Sequence, residues 1–233
     1  MLNNDPKLFI AEKFVKKGFL IINAEIEFDE NGNLKENYKI SGFIKDGSVD
    51  FLTKHNLSKI NSNFNLVQNS LKINNLNLLL NEQDLTFPKI EASKLKDKFF
   101  IKGELNNNNV VLEENEIENY FGNDFFLDLK KIEFKSKNEF SLQIDKKFKF
   151  KNLNINSYIN LKELVLLDKG LNNFFPEIKD QIKLINHEIN LSYNKKDNLK
   201  IKGSGKFLIQ EEDKIQYDIS TKNGKFDLLT LFE

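Results

Sequence analysis

The side chains in this sequence that could do acid-base or metal chemistry are two histidines, His55 and His187, and two carboxylate clusters. The clusters are Glu113-Glu114 with Glu116 and Glu118, and Glu211-Glu212-Asp213. A transition-metal site needs several His, Cys or carboxylate ligands at ligand spacing, and no carboxylates converge on either histidine in that way. Paired carboxylates could act as acid and base or hold calcium. Both clusters, however, sit in turn-like stretches beside lysines, which reads as solvated loop. His187 shares parity with Ile185 and Ile189, the position of a half-buried strand histidine. No Gly-rich phosphate cradle, nucleophile elbow or metalloprotease helix occurs. Gly203-Ser204-Gly205 falls inside a strand pattern, where a bend or a close backbone approach explains it. The chain therefore reads as non-enzymatic, with no catalytic residue, no metal and no cofactor.

The elements that would position these groups are strands. After Gly18 the sequence alternates: Leu20, Ile22, Ala24, Ile26 and Phe28 on one face, with a turn at Asp29–Asn33. Tyr38, Ile40, Gly42 and Ile44 return, and Asp46-Gly47 predicts a tight hairpin. Ile60, Phe64 and Leu66 follow, then Leu71 and Ile73, and a parity shift at Asn74-Asn75 predicts a β-bulge before Leu76, Leu78 and Leu80. Pro88 removes a ladder hydrogen bond, so its strand is expected at an edge or bulged. Phe99, Ile101, Gly103 and Leu105 lead to a loop expected at Asn106–Asn109. Further on come Phe140, Leu142 and Ile144, then Ile189 and Leu191, Ile201 and Phe207, and Ile215 and Ile219. The spacing predicts helices over 5–17 and near 176–184, and a helical turn over 113–120. The total is roughly a dozen strands, about twice the usual sheet of five or six. The fold class is all-β with two or three short helices: a long curved antiparallel sheet forming a groove or open taco-like barrel, one segment over 1–233.

Composition removes some functions and leaves others open. Thirty-five basic and thirty-five acidic residues cancel, so nothing pulls the chain toward nucleic acid. With no cysteine the redox compartment is undetermined. No run of about 20 apolar residues is present to span a bilayer. Every basic residue is lysine, and the excess of Asn and Phe is ascribed to A- and T-rich codons and not to a special role. What remains is an apolar face rich in Ile, Leu and Phe, which a second sheet or a ligand must cover.

The strand succession, the recurring strands Tyr38-Lys39-Ile40-Ser41-Gly42, Phe99-Phe100-Ile101-Lys102-Gly103 and Leu199-Lys200-Ile201-Lys202-Gly203, and the block from Phe174-Phe175-Pro176-Glu177-Ile178 onward resemble bacterial AsmA-like proteins, the group containing AsmA, TamB and YhdP. The resemblance implies a segment of a longer β-groove protein, periplasmic and held at the inner membrane by a part outside this chain. It implies phospholipid or another acyl lipid as partner, with neighbouring β-groove segments of the same chain and no nucleic acid. The expected lipid contacts are Ile22, Ile26, Ile40, Ile44, Phe64, Leu66, Ile101, Leu105, Leu142, Ile144, Ile189, Leu191, Ile201, Phe207 and Ile219. The competing reading is a structural or adhesin-type β-solenoid or β-sandwich surface protein whose apolar face packs on itself.

Overall fold

The structure is a computed structural model that describes residues 15–33, 35, 37–51, 55–95, 98–121, 129–145, 149–167, 181–194, 198–208, 212–222 and 225–232. The first six strands are β1 (Val15–Glu25), β2 (Lys39–Phe51), β3 (His55–Val67), β4 (Ser70–Leu80), β5 (Gln83–Leu95) and β6 (Lys98–Glu113). One described helix follows, α1 (Glu114–Phe121). The remaining strands are β7 (Leu129–Asp145), β8 (Phe150–Leu167), β9 (Gln181–Asn194), β10 (Asn198–Leu208), β11 (Glu212–Lys222) and β12 (Lys225–Phe232). All twelve lie in one antiparallel sheet in chain order, and β1 and β12 are not neighbours, so the sheet is not closed.

Contacts divide the chain into two units. The first is Met1–Asn106 with Ser141–Lys151, and the second is Asn107–Phe140 with Asn152–Glu233. Strand order follows the chain through both units, and the division between them falls within β6, β7 and β8 and not at a linker. Among the described residues no helix is long and apolar enough to cross a membrane.

Local chemistry explains the elements and corrects several expectations. The Asp29 carboxylate accepts from the N–H groups of Asn31 (2.9 Å) and Asn33 (2.8 Å), closing the expected turn around Gly32 at φ 80°. The helical turn expected over 113–120 is α1. There Glu116, three residues into the cap, accepts from the Glu113 N–H at 3.0 Å, so this carboxylate cluster caps a helix. Residues 15–17 are strand and not the end of a helix, because Val15 and Lys17 pair with Val49 and Ser48 of β2; the rest of the helix expected over 5–17 lies outside the described residues. Likewise 181–184 open β9, and the remainder of the helix expected near 176–184 is not described. Asn106–Asn109 is not a loop: β6 runs through it, its backbone paired regardless of the polar side chains.

Bulges organise the first unit. Asp46-Gly47 is no hairpin, since β2 continues through it for 13 residues with Asp46 at φ 52°. The register slips by one residue there, from Lys17↔Ser48 to Phe19↔Lys45. β3 slips at Lys59 (φ 48°) and β4 at Asn75 (φ 51°), the position predicted. β5 slips between Thr86 and Ile90, across Pro88, so this proline sits at a bulge of an interior strand. A row of bulges therefore crosses four adjacent strands. Each flips the parity of its strand, which keeps Leu71 and Ile73 on the same face as Leu76, Leu78 and Leu80.

Asparagines close the backbone that the bulges open. Asn61 Nδ2 donates to the Lys59 carbonyl at 2.7 Å while its Oδ1 accepts from the Asp46 N–H at 3.1 Å, joining two bulges. Asn77 Nδ2 donates to the Asn75 carbonyl at 3.3 Å, and Asn154 does the same to Asn152 at 3.2 Å. Part of the asparagine excess thus has a structural role that codon usage does not express.

Left-handed backbone is costly for β-branched residues and cheap for glycine. Asn75→Val should lower stability by about 1–2 kcal/mol, whereas Asn75→Gly should stay near wild type. Urea midpoints measure both, and equal midpoints for the two variants would remove the bulge.

Candidate functional site

The extended feature of the first unit is one apolar face. Register sets Ala24 opposite Ile40, Ile40 opposite Leu66, Leu66 opposite Leu71, Leu71 opposite Ala92 and Ala92 opposite Ile101. This row is apolar across six strands. Beside it runs a second row, Ile22, Gly42, Phe64, Ile73, Ile90 and Gly103. Ile44 extends the face on β2 and Leu105 on β6, while Leu142 and Ile144 are half-buried on β7. Ile26 lies just past β1 and is exposed.

Nothing described covers this face. Among the described residues the buried hydrophobic ones are Val110, Leu112, Ile117, Leu129, Leu161, Val165, Ile182 and Ile215, all of the second unit. In the first unit every Ile, Leu and Phe whose side chain is described is half-buried or exposed. Its opposite face is polar between β4 and β6. There Glu91 binds Lys102 at 2.8 Å and Lys89 at 2.7 Å, and these hydrogen bonds, Lys102 first, hold its carboxyl down at about 2.

The second unit presents a comparable face with a polar pin in it. Ser157, Leu191, Ile201 and Ile219 stand in one row, and Ile159, Ile189, Gly203 and Tyr217 in the next. Phe207 lies further along the same strand face of β10, opposite Leu184. The second unit also has a small core, in which Ile117 of α1 packs with Val110, Leu112 and Leu129.

His187 is 1% exposed, far more buried than its strand position predicts. Its Nε2 donates to the Lys206 carbonyl at 3.0 Å, which leaves Nδ1 to accept from the Tyr217 hydroxyl at 3.2 Å. The two rings lie over glycines. A Cβ on Gly205 would fall 2.2 Å from His187 Cδ2, and one on Gly203 would fall 2.4 Å from the Tyr217 oxygen. Gly203 and Gly205 are thus the close approach expected of Gly203-Ser204-Gly205. The parity expected with Ile185 fails, because a bulge at Asn186 (φ 52°) places Ile185 opposite Lys206 on the other face.

Burial pushes the His187 pKa below its ordinary value, against the Lys206 carbonyl bond, and pushes Tyr217 upward. With both ring nitrogens engaged and no solvent access, His187 has no free lone pair for acid-base work. It is a structural group. His55 opens β3, and Glu212 and Asp213 open β11, while Glu211 is outside the described residues. Among the described residues no three His, Asp or Glu side chains gather as a metal site.

The sequence expectation missed the His187–Tyr217 pair. Its readable signal was two glycines spaced by two on β10, facing an aromatic residue on each neighbouring strand.

The folded pKa of His187 lies below its ordinary value near 6.5, so the unfolded chain binds the proton more readily. This contribution to stability is complete above about pH 6.5 and is lost as pH falls below it. Urea midpoints measured from pH 7.5 to 5 should show that loss, and His187→Phe should flatten it; the same slope in both proteins sinks the assignment. Gly205→Ala should cost about 1–3 kcal/mol by forcing the imidazole off the sheet.

Comparisons with protein-family models, with curated proteins and with solved structures find no match, so function has to be read from the faces themselves.

Proposed function

We propose that this chain binds or conducts lipid tails along its apolar sheet face, as a non-enzymatic segment of the AsmA-like kind in the bacterial envelope. One observation carries the reading: in the first unit a face apolar across six strands leaves all its described Ile, Leu and Phe side chains in contact with solvent. Such a face needs a cover. Each acyl CH2 withdrawn from water gains about 0.8 kcal/mol, so a sixteen-carbon tail on this surface gains on the order of 12 kcal/mol before the costs of ordering it. Tail binding of this sort needs shape and apolarity but no particular side chain. That agrees with His187 and Glu116, whose side chains serve the fold.

A self-packed β-sandwich would bury the inner residues of both its sheets. The absence of any buried hydrophobic residue among those described in the first unit counts against it. The acyl lipid is then the partner, the periplasm the place where a covered trough is needed, and Ile40, Phe64, Leu66 and Ile101 are central contacts.

A photoreactive phenylalanine analogue tests the reading when placed at Phe64 or, as control, at Lys72 on the polar face. After expression and extraction, native mass spectrometry should find phospholipid bound, with cross-links from position 64 and none from 72. A lipid-free protein, or equal labelling from both positions, overturns the proposal.

A further inference from the structure

β1 and β12 stand at the two ends of the strand order, each with one hydrogen-bonded neighbour among the described residues. An edge strand offers a row of unpaired N–H and C=O groups, and isolated proteins blunt such edges with charge, proline or a bulge. The centres of these two do the reverse. On β1, Phe19 is 71% exposed, with Leu20, Ile21 and Ile22 also exposed; on β12, Leu229 is 73% exposed, with Leu228, Leu231 and Phe232. Successive residues point to opposite faces, so both edges are apolar on both sides, the pattern of a strand in the middle of a covered sheet.

We propose that these edges are the two halves of one interface, in which β12 of one copy of this chain pairs antiparallel with β1 of a second copy. Direction permits it. In an antiparallel order of twelve strands, a β1 laid beside β12 with the same face upward continues the alternation. Register supports it as well. One alignment matches all eight residues of β12 with 18–25 of β1, setting Leu231 opposite Phe19, Leu229 opposite Ile21 and Leu228 opposite Ile22. In that alignment Ile22, in a row with Gly42, stands opposite Leu228, in a row with Ile219, so an apolar row of one copy meets an apolar row of the next. The same alignment brings Lys225 opposite Glu25, a favourable cross-strand charge pair. The contact is head-to-tail, so it propagates and does not stop at a dimer.

The chain has no cysteine, which makes the test direct. The full chain carrying both Ile21→Cys and Leu229→Cys, oxidised without lipid, should give a ladder of covalent dimers, trimers and higher species. Either variant alone should stay monomeric. Dimers from Leu229→Cys alone, or a disulfide within one chain, overturn the proposal. In sedimentation experiments Glu25→Lys should weaken association about fivefold and Lys225→Glu should restore it in the double variant. A monomer throughout, or aggregation indifferent to this charge swap, likewise overturns it. Because no lipid is present, the result stands apart from the lipid reading.

Discussion

The constraint on which this molecule depends is the apolar face of the first unit, which nothing among the described residues covers. Alternation along each strand sorts Ile, Leu and Phe to one side, and hydrogen bonding between neighbours aligns those sides into rows six strands wide in the first unit. In a closed domain a second layer would complete the burial and supply most of the stability. In the first unit the sheet itself carries the order, with no buried hydrophobic residue among those described. Its backbone ladder must stay intact, and its parity must not drift.

The row of bulges answers the second requirement. A single extra residue in one strand would turn the rest of that strand inside out relative to its neighbours. Placing the slips at Asp46, Lys59, Asn75 and around Pro88, one strand after the next, lets four strands change parity together. Asn61 ties two of those slips through both ends of its amide. In the second unit the same economy appears as rings laid over glycines, where His187 and Tyr217 fill the space that Gly205 and Gly203 leave. The imidazole satisfies both of its nitrogens there, so a titratable group is spent on packing and not on chemistry.

Turn and bulge chemistry were the least readable from sequence. Asp46-Gly47 carries the hairpin signature yet forms a bulge, while Asn81-Glu82 carries no glycine yet makes a tight turn between Leu80 and Gln83, with φ of 47° and 73°. Both devices need a left-handed residue, so the dipeptide alone does not choose between them. The parity shift at Asn74-Asn75 was readable, because the apolar residues on either side had to reach one face. The run Phe19-Leu20-Ile21-Ile22, apolar on both sides, was read instead as half-buried, because the alternation of Ile22, Ala24 and Ile26 with Asn23 and Glu25 gave the strand one apolar face.

By itself the sequence determined that the chain is a succession of about a dozen antiparallel strands, each with an apolar side, because period-two alternation is a local property of every strand. It also pointed to a helical turn over 113–120, while the cap that Glu116 makes on the Glu113 N–H came only from the structure, the sequence having placed that carboxylate in a solvated loop. Only the tertiary structure decided that strand order follows chain order without closure, that the first unit lacks a cover among its described residues, and that His187 is sealed under Tyr217. Those outcomes depend on which strands become neighbours and on what lies across from each face. Alternation is identical whether a face meets another sheet, a lipid or water, so no reading of one strand at a time can contain them.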